Sequence, residues 1–352
     1  FELSNACNLE CEMCSPVFSS KHNKQGRFRQ VYDNRFVDQL TEFIPNIVQA
    51  RFFGGEPFLI NIYFRIWEKI IELNPKCRIT LQTNGTILND KIKDLLNKGK
   101  FNIGISIDSL QKERYERIRK GADFEEVMKN IDYFTEYCHK KSSILNFSVC
   151  PMTINWEEIP DLVDFCNDRK ALIYFNTVFQ PEYLSFLSLG SNDLDRIITE
   201  LKPKKFRTAT IFEKKNSKHY FDFVNLLKVW FDKADERERE NRHRTEKFKI
   251  FMEQVEEISK DELIARMVIS LRNAVKGSNY FSKEDKAEIS ENLVKKMTAF
   301  FKSRPDNTEI KMVIYDITTS DKLPVKIVRL SNMDEEELSL KIKQYISRRK
   351  PE

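Results

Sequence analysis

The stretch Phe101-Asn-Ile-Gly-Ile-Ser-Ile-Asp108 alternates between apolar and small or polar side chains. A strand turns successive side chains to opposite faces, so Ile103, Ile105 and Ile107 share one face and Asn102, Gly104, Ser106 and Asp108 the other. Two neighbouring segments repeat the pattern. In 78–84, Ile79 and Leu81 oppose Thr80, Gln82 and Asn84; in 145–150, Leu145, Phe147 and Val149 oppose Asn146, Ser148 and Cys150. Strands covered by helices on both faces read as continuous apolar runs instead. One apolar and one polar face therefore predict helices on one side and a polar lumen on the other.

Working outward, strand-like runs recur at 1–4, 48–53 and 172–178. Helical periodicity separates them at about 35–43, 61–74, 90–99, 123–140 and 157–168. Six strands alternating with helices predict an α/β fold with a parallel sheet. An open doubly wound sheet and a partial barrel both satisfy that order, and the polar lumen favours the barrel. Gln82, Asn146, Ser148, Cys150 and Asn176 are expected to face inward.

The chain has 352 residues, 59 Lys+Arg against 54 Asp+Glu and a net charge of +5. That charge is too diffuse to argue for nucleic acid or a membrane surface, so neither is an expected partner. No run of about 18 apolar residues is present to form a spanning helix. The chain opens at Phe1, without a signal peptide, and reads as a piece trimmed at its front. Residues 1–190 carry 24 basic and 25 acidic side chains; residues 191–352 carry 35 and 29. Eight of nine glycines lie at or before Gly190, and all seven cysteines at or before Cys166. We expect a front domain over 1–190 and a charged, mainly helical domain over 191–352, the change falling near 190–205. Helices are expected near 191–201, 216–258, 260–275, 282–303 and 333–349, with a small β-hairpin over 309–317 and 325–330.

The chemistry centres on Cys7-Asn-Leu-Glu-Cys11-Glu-Met-Cys14, a C-x3-C-x2-C directly after the first predicted strand. An odd cysteine count without a secretory signal suggests reduced thiols and a cytoplasmic protein. Three thiolates fall one short of a closed structural zinc site or a saturated iron–sulfur cluster, leaving an open coordination position. Zinc with His22 as fourth ligand, giving a zinc-stabilised scaffold, is one alternative. A non-catalytic iron–sulfur protein for electron transfer or partner binding is another.

These residues resemble the radical S-adenosylmethionine (radical SAM) superfamily. Gly54-Gly55-Glu56-Pro57 follows the second predicted strand as that family's GGE motif does; Thr83-Asn84-Gly85 and Ser106-Ile107-Asp108 end the next two, and Tyr115–Gly121 follows. The resemblance covers about 1–180 and is nearest the subgroup with SPASM or twitch extensions, many of which modify peptides. It implies a partial (β/α)6 barrel and a [4Fe–4S] cluster held by Cys7, Cys11 and Cys14. It also implies reductive cleavage of S-adenosylmethionine to a 5′-deoxyadenosyl radical that abstracts hydrogen from a substrate, here expected to be a peptide. Gly54, Gly55 and Glu56 are expected at the methionine amino group, and Thr83, Asn84, Ser106, Asp108 and Arg119 at the ribose or carboxylate. A ferredoxin or flavodoxin is the expected reductant. The family usually places an aromatic residue before the third cysteine; here it is Met13. Members of the subgroup carry downstream cysteines for auxiliary clusters, and this chain has none after Cys166. Cys150 is a candidate hydrogen-atom donor, with a small buried hydrophobe as the alternative.

Overall fold

The computed structural model describes residues 1–22, 32–277, 281–303, 307–319, 330 and 332–347. Five parallel strands, β1 (Gln49–Phe52), β2 (Arg78–Thr83), β3 (Phe101–Ser106), β4 (Leu145–Val149) and β5 (Leu172–Phe175), lie in the order β1-β2-β3-β4-β5. A doubly wound sheet reverses its strand order at a switch point. A strictly consecutive order is that of a sheet curling towards a barrel, which decides between the two architectures the sequence allowed. The expected first strand at 1–4 lies extended beside β1 without becoming a regular strand. Phe1 N donates to Arg51 O at 2.6 Å, and Phe53 N donates to Phe1 O at 2.8 Å, the exchange of a parallel neighbour.

Between the strands run α1 (Asn34–Thr41), α2 (Asn61–Leu73), α3 (Asp90–Lys98), α4 (Lys112–Ile118), α5 (Phe124–Lys141) and α6 (Ile159–Asp168). Their starts are set locally: Asn89 accepts from Ile92 N at 3.1 Å and Asp123 from Glu126 N at 3.0 Å, each satisfying a helix-end donor. The apolar strand faces meet these helices around fully buried Trp67, against which Phe52, Phe58, Phe64 and Phe101 pack edge-on. Burial of each such ring stabilises the fold by about 1.5–3 kcal/mol. On the opposite face, register aligns Gln82 with Gly104, Gly104 with Asn146, and Ser106 with Ser148. Gln82 Nε2 donates to Ser106 Oγ at 3.0 Å, and a Cβ on Gly104 would sit 2.1 Å from Gln82 Oε1. Glycine there makes room for the carboxamide that bridges the lumen.

The chain forms two compact units, Phe1–Glu238 and Arg239–Glu352. The division falls within α8 (Ile211–Gln254), not near 190–205. The physical reason is packing: Leu194, Ile197 and Leu201 of α7 (Ser191–Leu201), with Tyr220, Phe223 and Leu227 of α8, belong to the same core as the sheet. Composition registered where turns and thiols end rather than where that core ends. Helix α8 also covers the free edge of β5. Asn216 Oδ1 accepts from Ile173 N at 3.0 Å, and His219 Nδ1 lies 2.7 Å from Ile173 O. A strand edge so occupied is closed to further pairing.

The second unit has α9 (Lys260–Gly277), α10 (Lys283–Lys302), α11 (Asn307–Thr319) and α12 (Glu335–Ser347) around Leu263, Met267, Leu271, Met297, Phe301 and Ile310. The expected hairpin is overturned: 309–317 lies in helix α11, while 325–329 fall outside the described residues. Residues 310 to 316 are all buried. A helix buried on every side shows no clean 3.6-residue apolar period, and its β-branched residues then read as a strand.

Candidate active site

The cysteine loop is held at both ends. At its entrance, Gly55 N donates to Ser4 O at 3.2 Å and Glu56 N to Ala6 O at 2.7 Å. A Cβ on Gly54 would lie 2.1 Å from Ser4 O, and one on Gly55 2.1 Å from Ala6 O. The close approach that these glycines permit is thus to the chain leading into Cys7; Gly54, at φ +104°, also needs glycine for its backbone. Asn8 continues the clamp, accepting from Asn84 Nδ2 at 2.9 Å and donating to Thr86 Oγ1 at 2.8 Å. Around Cys11, the loop zips to the end of α4: Glu10 N donates to Lys120 O and Glu12 N to Ile118 O, both at 2.9 Å. The flanking exposed pairs Lys120–Glu10 and Arg117–Glu12, at 3.7 and 3.5 Å, add at most about 1 kcal/mol each.

Cys7, Cys11 and Cys14 are free and partly exposed. Burial pushes the Cys11 thiol up to about 11, opposed by Arg119 and reinforced by Asp108, Cys7 and Cys14. Burial and then Cys7 raise Cys14. The thiols are close enough to resist one another's ionisation, a donor set that favours an electropositive group among them. No three His, Cys, Asp or Glu side chains among the described residues converge on the position of one metal ion. A cluster asks for something different, since each cysteine takes a separate iron. His22 Nε2 lies 3.0 Å from Cys11 O, and a carbonyl only accepts, so that nitrogen carries hydrogen and is engaged in the loop's own fold. The three thiols fit a cluster better than a zinc ion completed by His22.

The remaining expected residues gather at the carboxyl ends of the strands, largely bonded to one another. Glu56 is fully buried and accepts from Phe58 N at 3.1 Å, Thr83 Oγ1 at 2.8 Å and Asn84 N at 2.7 Å. Burial raises its carboxyl to about 7, against the lowering effect of those bonds. Thr83 and Asn84 are buried, while Ser106 is only half-buried on the lumen face. Asp108 and Arg119, 0% and 6% exposed, pair with each other: Arg119 Nη2 lies 2.7 Å from Asp108 Oδ2. Arg119 Nη1 is 4.0 Å from Cys11 Sγ.

Cys150 N donates to Asp108 Oδ1 at 2.7 Å, and its side chain packs against the cluster of Ile118, Met152, Val178 and Leu184. Burial, ahead of the Asp108 charge, raises its thiol strongly. The surroundings are those of a small hydrophobe. Met13 fills the same apolar cluster rather than presenting a ring.

Sequence reasoning missed the residues that stitch the loops together. Fully buried Asn155 donates to Asp108 O at 2.8 Å and Cys150 O at 3.0 Å, and Glu158 accepts from Ser109 Oγ at 2.9 Å and Leu110 N at 2.7 Å. Neither carries a motif; Asn155 reaches Asp108, and Glu158 reaches Ser109 and Leu110, across more than 40 residues of chain. A cavity of about 240 Å³ lies past the ends of β4 and β5, lined by Pro151, Tyr174, Asn176, His219, Phe223 and Trp230 among others.

Residues 1–166 match the sequence profile of the Radical SAM superfamily. The front of this chain is a radical SAM domain. Proteins of that superfamily bind S-adenosylmethionine and a [4Fe–4S] cluster. Among curated relatives, the GTP 3′,8-cyclase of Clostridium botulinum (strain Okra / Type B1) is 24% identical over 241 residues, 65% of this chain and 73% of that protein. The probable GTP 3′,8-cyclase of Methanocaldococcus jannaschii is 26% identical over 236 residues, again 65% and 73%. Among solved structures, Streptococcus suis SuiB bound to S-adenosylmethionine has a TM-score of 0.44 and 19% identity over 57% of this chain. The matched part spans 45% of SuiB, less than half its length. No helix among the described residues is long and apolar enough to cross a membrane.

Proposed function

We propose that Cys7, Cys11 and Cys14 hold the cluster and that a substrate hydrogen is abstracted in the lumen beside it. The observation that carries this reading is the cysteine loop itself, clamped by Gly55, Glu56 and Asn84 on one side and by Ile118 and Lys120 on the other. Held there by Cys7, Cys11 and Cys14, such a cluster would supply the electron for reductive cleavage of S-adenosylmethionine. The chain's own residues do the rest. Glu56 fixes the Thr83-Asn84 turn under the loop, Ser106 offers a half-exposed hydroxyl for the ribose, and Gln82 with Ser148 lines the lumen with polar groups. The Gly54-Gly55 turn sets the loop's height above the strand ends, where the methionine amino group is received. Cys150 acts as packing in this reading.

Two substrates are proposed. A peptide follows from the subgroup resemblance, and the aromatic-lined cavity beside β5 suits one of its side chains. A guanosine nucleotide follows from the names of the relatives, although residues after Cys166 offer no thiol for a second cluster. A ferredoxin or flavodoxin supplies the electron, in the reducing cytoplasm that seven free thiols suit. The test is anaerobic reconstitution with iron and sulfide, then dithionite and S-adenosylmethionine, with 5′-deoxyadenosine followed by chromatography. Production is expected from the wild type and not from a Cys11→Ala variant; a wild type that takes up no iron sinks the reading. Adding GTP or a peptide library, and asking which is altered, separates the two substrates.

A further inference from the structure

Family resemblance sends Arg119 to the carboxylate of S-adenosylmethionine, but its surroundings point elsewhere. The residue is 6% exposed, with one guanidinium nitrogen 2.7 Å from fully buried Asp108 and another 4.0 Å from Cys11 Sγ. Two backbone bonds keep it there: Glu10 and Glu12, either side of Cys11, donate to Lys120 and Ile118, either side of Arg119. Arg119 N in turn donates to Tyr115 O at 2.7 Å, closing the last turn of α4 beneath it. Cys11 and Arg119 are thus opposed residues in one short ladder, and neither can move without the other. Arg119 Nε has no hydrogen-bond partner among the described residues, so the guanidinium has donor capacity beyond what Asp108 uses.

We propose that Arg119 serves the cluster: its guanidinium acts through the Cys11 sulfur to raise the reduction potential, with Asp108 as the counter-charge that holds it in place. This rests on the cluster assignment above. Adding an electron makes a thiolate-ligated cluster more negative, so a cation and N–H donors at a ligand sulfur favour the reduced form. A buried ion pair is weak evidence for stability, because desolvation offsets most of its attraction. Its placement against a ligand sulfur gives it a chemical purpose that stability does not.

The experiment is an EPR-monitored redox titration of the reconstituted protein without S-adenosylmethionine, alongside calorimetric titration of S-adenosylmethionine onto the oxidised form. Arg119→Gln is expected to move the midpoint potential negative, with Arg119→Lys recovering part of the shift. Asp108→Asn, which keeps the cation and can still accept from Cys150 N, is expected to move it positive. Opposite shifts with affinity for S-adenosylmethionine held within about threefold support the proposal. Unshifted potentials overturn it, and a tenfold or greater loss of affinity at unshifted potential gives the guanidinium to the cosubstrate instead. Should Arg119→Gln fail to take up iron, the sign of the Asp108→Asn shift decides. A wild type without a cluster overturns the function proposed above and this inference with it. A cluster-bearing wild type with unshifted variants overturns the inference alone.

Discussion

The two compact units bury different things. Phe1–Glu238 encloses Glu56, Asp108, Arg119, Asn155 and Glu158, each bonded to named partners around the loops that leave the strands. Arg239–Glu352 encloses aliphatic side chains, Phe301 and several methionines; its buried Lys311 and Asp316 reach Glu256 O and Arg244. Buried polar groups cost free energy unless satisfied, so a fold that gathers them in one place is holding a site in shape. The second unit's core depends on volume and little else. The difference separates residues that cannot be exchanged from those that exchange within the limits of packing.

The largest expected effect falls on the first unit. Cys11→Ala should abolish both iron retention and 5′-deoxyadenosine production, measured by iron assay and chromatography; retained cleavage would falsify the cluster assignment. In the second unit, Leu271→Ala, at a side chain 1% exposed, should cost about 3–4 kcal/mol of stability. Denaturant melts would show that loss while 5′-deoxyadenosine production in native buffer stays unchanged. If production fell with it, the second unit's core would bear on the first unit's chemistry.

Glu56 gives a pH signature. Its carboxyl is raised from an ordinary 4.5 to about 7, so the folded chain binds a proton that the unfolded chain has released between those values. Its stabilising contribution is therefore full below about 4.5 and lost as pH rises through 7, by about 3 kcal/mol at most. Urea melts between pH 5 and 7.5 should show a downward slope in the wild type that is reduced in Glu56→Gln. Equal slopes would remove Glu56 from the account. The smallest effect is at Gly104, where Gly104→Ala should cost about 1–2 kcal/mol as the new methyl displaces the Gln82 carboxamide. A variant as stable as wild type would mean that the lumen is less tightly filled than its distances imply.

Much of the front unit was legible from local periodicity: five of six expected strands form, and the five expected helices fall within a few residues of their limits, while α4 was not anticipated. The sixth, at 1–4, exists as hydrogen bonds to β1 without a regular ladder. The site's residues were legible as motifs because cysteine spacing and glycine pairs stand out against ordinary composition. Their bonding was not. Asn8 and Asn84, or Asn155 and Asp108, meet only because the sheet brings distant loop ends together, and an asparagine in a loop leaves no periodic trace.

Local pattern therefore determined the alternation of strands and helices, the lumen's polarity and the presence of three thiols with an open position, since each depends on side chains a few residues apart. Packing decided the rest. Helix α11 is helical because its surroundings bury it on every side, the first unit extends to Glu238 because α8 completes its core, and Arg119 faces Cys11 because two backbone bonds hold it there. These outcomes depend on contacts between segments tens of residues apart, and no window of sequence contains both partners.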